Sequence, residues 1–174
     1  MANAGRLENK VAIVTGASQG FGQGIAELFD RHGAKVVVAD ILDDSGEQVA
    51  ASLKNGVFQH ADVSSRADTK AMIDCALDHF GQLDIIVNNA GYSHRNKPIS
   101  EVTDEEFDKI FNVNVRAIFY AAQESLEVFK AQGHGNIINT SSTAGLRPRP
   151  NLAVYNSSKG AVNTLTKSLA VELA

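Results

Sequence analysis

Tyr155 and Lys159 stand four residues apart in a stretch with helical spacing that begins near Asn151, so both side chains leave one helix face. A phenol with its ordinary pKa near 10 is a poor base at neutral pH. An ammonium beside it stabilises the phenolate and turns the pair into a proton-transferring unit. Ser142 lies 13 residues before Tyr155, at the end of a short apolar run. Its hydroxyl can hydrogen-bond a carbonyl oxygen held next to Tyr155. The chemistry this trio offers is proton movement on the oxygen of a carbonyl or hydroxyl group. Tyr-x-x-x-Lys alone is a weak signal, since the chain has three tyrosines and short motifs arise by chance.

A second constellation sits near the start. The apolar run Lys10 to Thr15 leads into Thr15-Gly16-Ala17-Ser18-Gln19-Gly20-Phe21-Gly22, and a helical pattern follows. Glycines at 16, 20 and 22 allow a sharp turn and a close approach to a ligand. The helix that starts there aims free N–H groups and its positive dipole end at the loop, where a pyrophosphate fits. A glycine-rich turn can also join strand to helix without binding anything. Asp40 ends the second apolar run, 18 residues past Gly22. A carboxylate there accepts hydrogen bonds from both adenosine ribose hydroxyls and repels a 2′-phosphate. Gln19 and Ile41 offer that phosphate no cation. The expected cofactor is therefore NAD, with NADP disfavoured, unless Asp40 is merely a solvated residue at a strand end.

These residues need a frame that brings positions 16 and 155 together. Short β-branched runs alternate with longer helical patterns. Strands are expected at 10–15, 35–40, 57–61, 83–88 and 135–141, and helices at 20–32, 44–54, 65–80, 103–132 and from about 151. Gly33 and Gly81 stop two of the helices, and Thr103 with Glu106 forms a capping box at the start of another. Buried strands alternating with helices predict an α/β fold, a Rossmann-type doubly wound parallel sheet with helices on both faces. The 174 residues suffice for a single domain with its own core.

Bulk properties narrow the function classes. A net charge of −4 argues against a nucleic-acid partner. No run approaches the roughly 20 apolar residues of a membrane span. The polar start is unlike a signal peptide, and one cysteine, Cys75, allows no internal disulfide, so a cytoplasmic location is expected. Cys75 reads as a core residue, and Phe111, Phe119 and Phe129 as helix-packing residues. The five histidines show no metal-ligand spacing.

Taken together, Thr15 to Gly22, Asn88-Asn89-Ala90-Gly91, Ser142 and Tyr155-Asn156-Ser157-Ser158-Lys159 resemble the short-chain dehydrogenase/reductase family, in its simple oxidoreductase branch. The resemblance runs from about residue 7 to the last residue. It implies hydride transfer between a nicotinamide cofactor and a small-molecule alcohol/carbonyl pair, with Tyr155 as general acid/base. Lys159 would favour the phenolate and hold the nicotinamide ribose, and Ser142 would polarise the carbonyl. Asn114 matches the family's catalytic asparagine and would hold a water linking Lys159 to solvent. It can also be read as a helix-interior Asn bonded to nearby backbone. Ser18, Gln19 and Phe21 would line the phosphate loop with Gly16, Gly20 and Gly22. Asp62 and Val63 would meet the adenine. Asn89, Ala90 and Gly91 would border the cofactor, Asn89 mainly by steadying the central strands. A homo-oligomer, dimer or tetramer, is implied for the full-length protein.

The branch continues past the catalytic helix into a sixth strand and substrate loops. The chain is therefore expected to be truncated at its C-terminus, since Val162, Leu165, Leu169 and Leu173 keep helical spacing to the end. A non-catalytic dinucleotide-binding or interaction fragment is the alternative reading. The substrate stays open among a 3-oxoacyl thioester, a sugar and a secondary alcohol. The loop Tyr92 to Pro98 carries His94 and Arg95 and reads first as solvated, although either could touch an acidic substrate. It also resembles the loop of family members that oxidise aromatic sulfonate aldehydes or alcohols.

Overall fold

The computed structural model describes residues 5–174. Strand β1 (Val11–Thr15) is apolar along its length and almost wholly buried. It forms the middle of a parallel sheet with β2 (Lys35–Asp40), β3 (Gly56–His60), β4 (Ile85–Asn88) and β5 (Asn136–Asn139), in the order β3-β2-β1-β4-β5. Six helices, α1 (Gly20–Arg31), α2 (Asp43–Ser52), α3 (Arg66–Phe80), α4 (Asp104–Phe111), α5 (Ala117–Gln132) and α6 (Ala153–Glu172), connect and cover the strands. Alternate side chains of each strand leave opposite faces. Val11, Ile13, Val37 and Ile86 pack with Met72 and Ala76 of α3 and Ala121 of α5. Val14, Val36, Val38 and Val87 pack on the other face with Ala26 of α1 and Val49 of α2. This is the Rossmann-type doubly wound sheet that the alternating pattern predicts. No helix among the described residues is long and apolar enough to cross a membrane.

Two expectations are corrected. The single helix expected over 103–132 is interrupted by a π-helical stretch, Asn112–Arg116, between α4 and α5. The widened turn lets Asn114 point inward, where it is buried and bonded to Tyr92 and Ser158. Apolar periodicity carries no signal for one extra residue in a turn, and such bulges tend to mark functional sites. Ile138, on β5, is 43% exposed. Strand β5 has β4 on one side and forms the sheet edge. Second, Phe119 is exposed rather than packed, with the Arg66 guanidinium 5.7 Å from its ring. The capping box at Thr103 and Glu106 is present as expected, and Cys75 is buried, which pushes its thiol up.

The end of the sheet away from the glycine loop is tied by Asp84, which is buried. Its carboxylate accepts from Lys10 Nζ at 2.8 Å, the Val11 N–H at 2.9 Å and Gln82 Nε2 at 2.6 Å, and pairs with His134 Nε2 at 3.0 Å. Burial alone raises the carboxyl, but these hydrogen bonds outweigh it and hold Asp84 below the usual carboxylate range. An Asp with a folded pKa below its unfolded one contributes stability that is present above the unfolded value. That stability is lost as pH falls through the folded value. Asp84→Asn should therefore lower stability at neutral pH by about 2–3 kcal/mol. The difference between variant and wild type should shrink below roughly pH 4, where the unfolded-state carboxyl protonates. Urea melts at pH 7 and pH 3.5 check both.

Candidate active site

Strand order reverses beside β1, with β2 on one side and β4 on the other. In an open parallel sheet such a switch point leaves a crevice at the carboxyl ends of the strands. A cavity of about 700 Å³ lies there, and the segments following all five strands border it.

The loop after β1 turns at Gly16, whose φ is +64°. A Cβ at Gly16 would lie 2.9 Å from Ala90 Cα, and one at Gly22 would lie 2.0 Å from the Gly16 carbonyl oxygen. Gly22 is thus required by the loop's closure on its own backbone, and Gly16 by the close approach of the segment after β4. Gly22→Ala should destabilise the fold by about 2–3 kcal/mol, an overpacking cost. Thermal unfolding with and without dinucleotide measures it, and a melting point equal to wild type contradicts the packing argument. Helix α1 begins at Gly20 with no side-chain cap from Gln19, leaving its first N–H groups without that partner. The Ser18 hydroxyl is buried with no hydrogen-bond partner. An anionic or hydroxyl-rich ligand would satisfy it.

Asp40, at the end of β2, is largely buried. Its Oδ2 accepts the Ser18 N–H at 3.0 Å and its Oδ1 the Leu42 N–H at 3.1 Å. Each oxygen keeps a further lone pair for a donor in the cavity. Asp62 and Val63, after β3, line the same end. Asp62 Oδ1 holds the Ser64 N–H and hydroxyl, which fixes the turn into α3. Gln19, Phe21, Asn89, Ala90 and Gly91 also line the cavity. Ser18, Gly20, Gly22 and Asn114 are not among the residues that line it. Asn89 donates from Nδ2 to the carbonyls of Thr15 and Gly16 at 3.0 and 3.3 Å, and Thr15 Oγ1 accepts the N–H groups of Asn89 and Ala90. These bonds brace β1 against β4.

The other end of the cavity holds Ser142, Tyr155 and Lys159. Ser142 Oγ accepts the Ala144 N–H at 3.1 Å, which opens the short 3-10 turn Thr143–Gly145 and leaves the hydroxyl proton free to donate. Tyr155 and Lys159 lie one turn apart on α6, with Lys159 Nζ 5.9 Å from the Tyr155 ring centre. Lys159 is buried, and that burial pushes its pKa down. Its Nζ donates to the Thr140 carbonyl at 2.8 Å. Asn114 Oδ1 accepts the Tyr92 N–H at 2.8 Å, and its Nδ2 donates to the Tyr92 carbonyl and to Ser158 Oγ at 2.9 and 3.0 Å. Ser158 Oγ in turn donates to the Tyr155 carbonyl at 2.8 Å. Asn114 and Lys159 approach each other at Gly91, where a Cβ would lie 3.5 Å from Asn114 Oδ1 and 3.7 Å from Lys159 Nζ.

Ser158 and the Thr140 carbonyl were not singled out in the sequence. Ser158 lies inside the Tyr-x-x-x-Lys motif, but only three-dimensional contact reveals its partner. Lys109 of α4 also lines the cavity, with Nζ 4.4 Å from the Tyr92 ring centre, and no local pattern marks it. His94 is buried, with Nδ1 bonded to the Arg95 carbonyl at 2.7 Å. Neither His94 nor Arg95 is among the residues lining the cavity. No cluster of three or more potential metal ligands occurs among the described residues.

A doubly wound sheet with a glycine loop at its switch point and a Tyr-Lys pair across the crevice defines a dinucleotide-fold protein. The family model for short chain dehydrogenases matches residues 10–174, and the chain belongs to that family. The chain is 44% identical over 172 residues to a 4-formylbenzenesulfonate dehydrogenase of Comamonas testosteroni, covering 97% of this chain and 68% of that protein. The crystal structure of a 3-ketoacyl-(acyl-carrier-protein) reductase from Brucella melitensis, complexed with NADH, superposes with a TM-score of 0.92 at 45% identity, covering 96% of this chain and 70% of that one. A short chain dehydrogenase/reductase from Burkholderia phymatum, solved in complex with NAD, gives a TM-score of 0.92 at 32% identity, covering 96% of this chain and 61% of that one. The chain thus spans 61–70% of the length of these proteins.

Proposed function

We propose that this chain carries the dinucleotide-binding and catalytic part of an NAD(H)-dependent oxidoreductase that interconverts an alcohol and a carbonyl on a small molecule. The observation that carries the reading is one crevice lined by Asp40 and Asp62 at one end and by Ser142, Tyr155 and Lys159 at the other. The NADH and NAD complexes of two structural relatives support the cofactor.

Asp40 and Asp62 would hold the adenosine end, and the N–H groups at the start of α1 would take the pyrophosphate. When bound, the nicotinamide supplies or accepts the hydride. Ser142 donates its free proton to the substrate oxygen and orients it. Tyr155 gives a proton to that oxygen in reduction and takes one in oxidation. The Lys159 ammonium stabilises the phenolate and is aimed by the Thr140 carbonyl. Both amide N–H bonds of Asn114 are used, which leaves one lone pair on Oδ1. A water beside Gly91 would accept from Lys159 and donate to that lone pair, carrying protons outward. The exposed Phe107 and Phe119 on α4 and α5 support a homo-oligomer, dimer or tetramer, paired through those helices.

The test uses the enzyme expressed from its complete gene, NADH, and a panel of aldehydes and ketones, followed by the absorbance of the reduced nicotinamide. Turnover is expected for at least one carbonyl, and Lys159→Ala should lose both that turnover and most NADH affinity. Full NADH affinity and rate in Lys159→Ala would remove the assignment.

A further inference from the structure

The Asn114 carboxamide can make hydrogen bonds through two N–H groups and two lone pairs on Oδ1. Tyr92 takes one of each through its backbone carbonyl and N–H. The second N–H of Asn114 goes to Ser158 Oγ at 3.0 Å. Among the described residues this is the one hydrogen bond between the π-helical stretch Asn112–Arg116 and α6.

Ser158 is fully buried, and its hydroxyl proton is committed to the Tyr155 carbonyl at 2.8 Å. Its oxygen is therefore left to accept from Asn114. A serine inside a helix can bond back to a carbonyl one turn earlier with no further role. Ser157 does this from an exposed position, donating to the Ala153 carbonyl at 2.9 Å. Ser158 differs in accepting a buried donor from another element. Without its oxygen, one Asn114 N–H would be buried and unpaired. The carboxamide would relieve that by turning out of its clasp on Tyr92, and Oδ1 would turn with it. Asn114 Oδ1 and Lys159 Nζ flank one point, since a Cβ at Gly91 would lie 3.5 Å from the first and 3.7 Å from the second. Such a turn changes the spacing on which a water between them depends.

We propose that Ser158 is a positioning residue: by holding Asn114 against the helix that carries Tyr155 and Lys159, it keeps Oδ1 in register with Lys159 for the return of protons. This inference rests on the oxidoreductase reading above and adds a residue to its proton path. In reduction the hydride comes from NADH, and Tyr155 gives its phenolic proton to the substrate oxygen. The replacement proton comes from solvent and passes by the water on Asn114 Oδ1 and by Lys159 Nζ to the Tyr155 oxygen. Ser158 neither gains nor loses a proton in this sequence and acts through Asn114.

The experiment uses the enzyme expressed from its complete gene, NADH, and the aldehyde or ketone of the panel that wild type reduces fastest. Wild type is compared with Ser158→Ala, Asn114→Ala and the double variant, and with Ser157→Ala as a control. Ser158→Ala should lower kcat about 10- to 100-fold, the scale of a misplacement of roughly 1 Å, and leave NADH affinity at the wild-type value. Its solvent deuterium isotope effect should rise, and the effect of deuterium on the transferred hydride should fall, because proton return becomes slow. In the Asn114→Ala background the same substitution should cost nothing further, since both act on one unit. Ser157→Ala should match wild type. An exchange measurement on the NADH complex needs no turnover. The side-chain N–H protons of Asn114, assigned by their loss in Asn114→Ala, should exchange with solvent roughly tenfold faster in Ser158→Ala, the scale of one hydrogen bond. A wild-type kcat in Ser158→Ala, unchanged isotope effects, additive losses in the double variant or unchanged exchange overturns the inference while the oxidoreductase reading stands. Absence of NADH binding by wild type overturns that reading itself.

Discussion

Tyr155→Phe is expected to lower turnover by at least about 10²- to 10⁴-fold, the range that a positioned general acid/base supplies. NADH affinity should remain within a factor of about two, because the ring still packs at the start of α6 and only the phenolic oxygen is lost. Lys159 is the instructive contrast. It is buried, reaches the Thr140 carbonyl at 2.8 Å and lies beside Gly91, so its removal should damage binding and rate together. Burial also pushes the Lys159 pKa down. It therefore loses its charge at lower pH than an ordinary lysine, and the rate should fall as pH rises through that depressed value. Lys159→Arg keeps the charge to higher pH and should move the alkaline limb upward. Steady-state kinetics and calorimetry on the same preparations separate these effects. A Tyr155→Phe enzyme with most of its rate would require another acid.

The second large effect concerns cofactor choice. Asp40, whose carboxylate is held by the N–H groups of Ser18 and Leu42, is proposed to meet the adenosine ribose. A 2′-phosphate at that position would meet the carboxylate, and no cation lines that end of the cavity. Wild type should bind NADH more tightly than NADPH. Asp40→Ala should narrow the gap by about 1–3 kcal/mol, the usual worth of a charged hydrogen bond. The substitution also strands two N–H groups, so some thermal stability should be lost. The ratio of the two affinities isolates the cofactor effect from that loss. Equal affinities in wild type contradict the role given to Asp40.

Much of this was legible in the residues because the relevant signals are local. The run Val11 to Thr15 followed by Gly16 announces a buried strand entering a tight loop. Thr103 and Glu106 announce a helix start through a reciprocal cap within four residues. Tyr155 and Lys159 share a helix face by spacing alone. What was not legible depends on partners distant in the chain. Asn114 is turned inward by a π-helical stretch whose reward is a set of bonds to Tyr92 and Ser158, 22 and 44 residues away. Lys109 enters the cavity because α4 passes beside Tyr92, and nothing in its neighbours distinguishes it from a solvated lysine. Gly16 and Gly22 also relieve crowding that no local pattern announces, with Ala90 and with each other.

The most direct measurement is a crystal structure of the enzyme with NADH bound. The account predicts adenosine between Asp40 and Asp62, the pyrophosphate over Gly20 at the start of α1 with the Ser18 hydroxyl satisfied, and the nicotinamide ribose against Tyr155 and Lys159. The nicotinamide C4 should face a space bounded by Ser142 and Tyr155, close enough for a substrate carbon at about 3–3.5 Å. A dinucleotide bound in the reverse orientation, or one whose nicotinamide lies away from Tyr155, would contradict it.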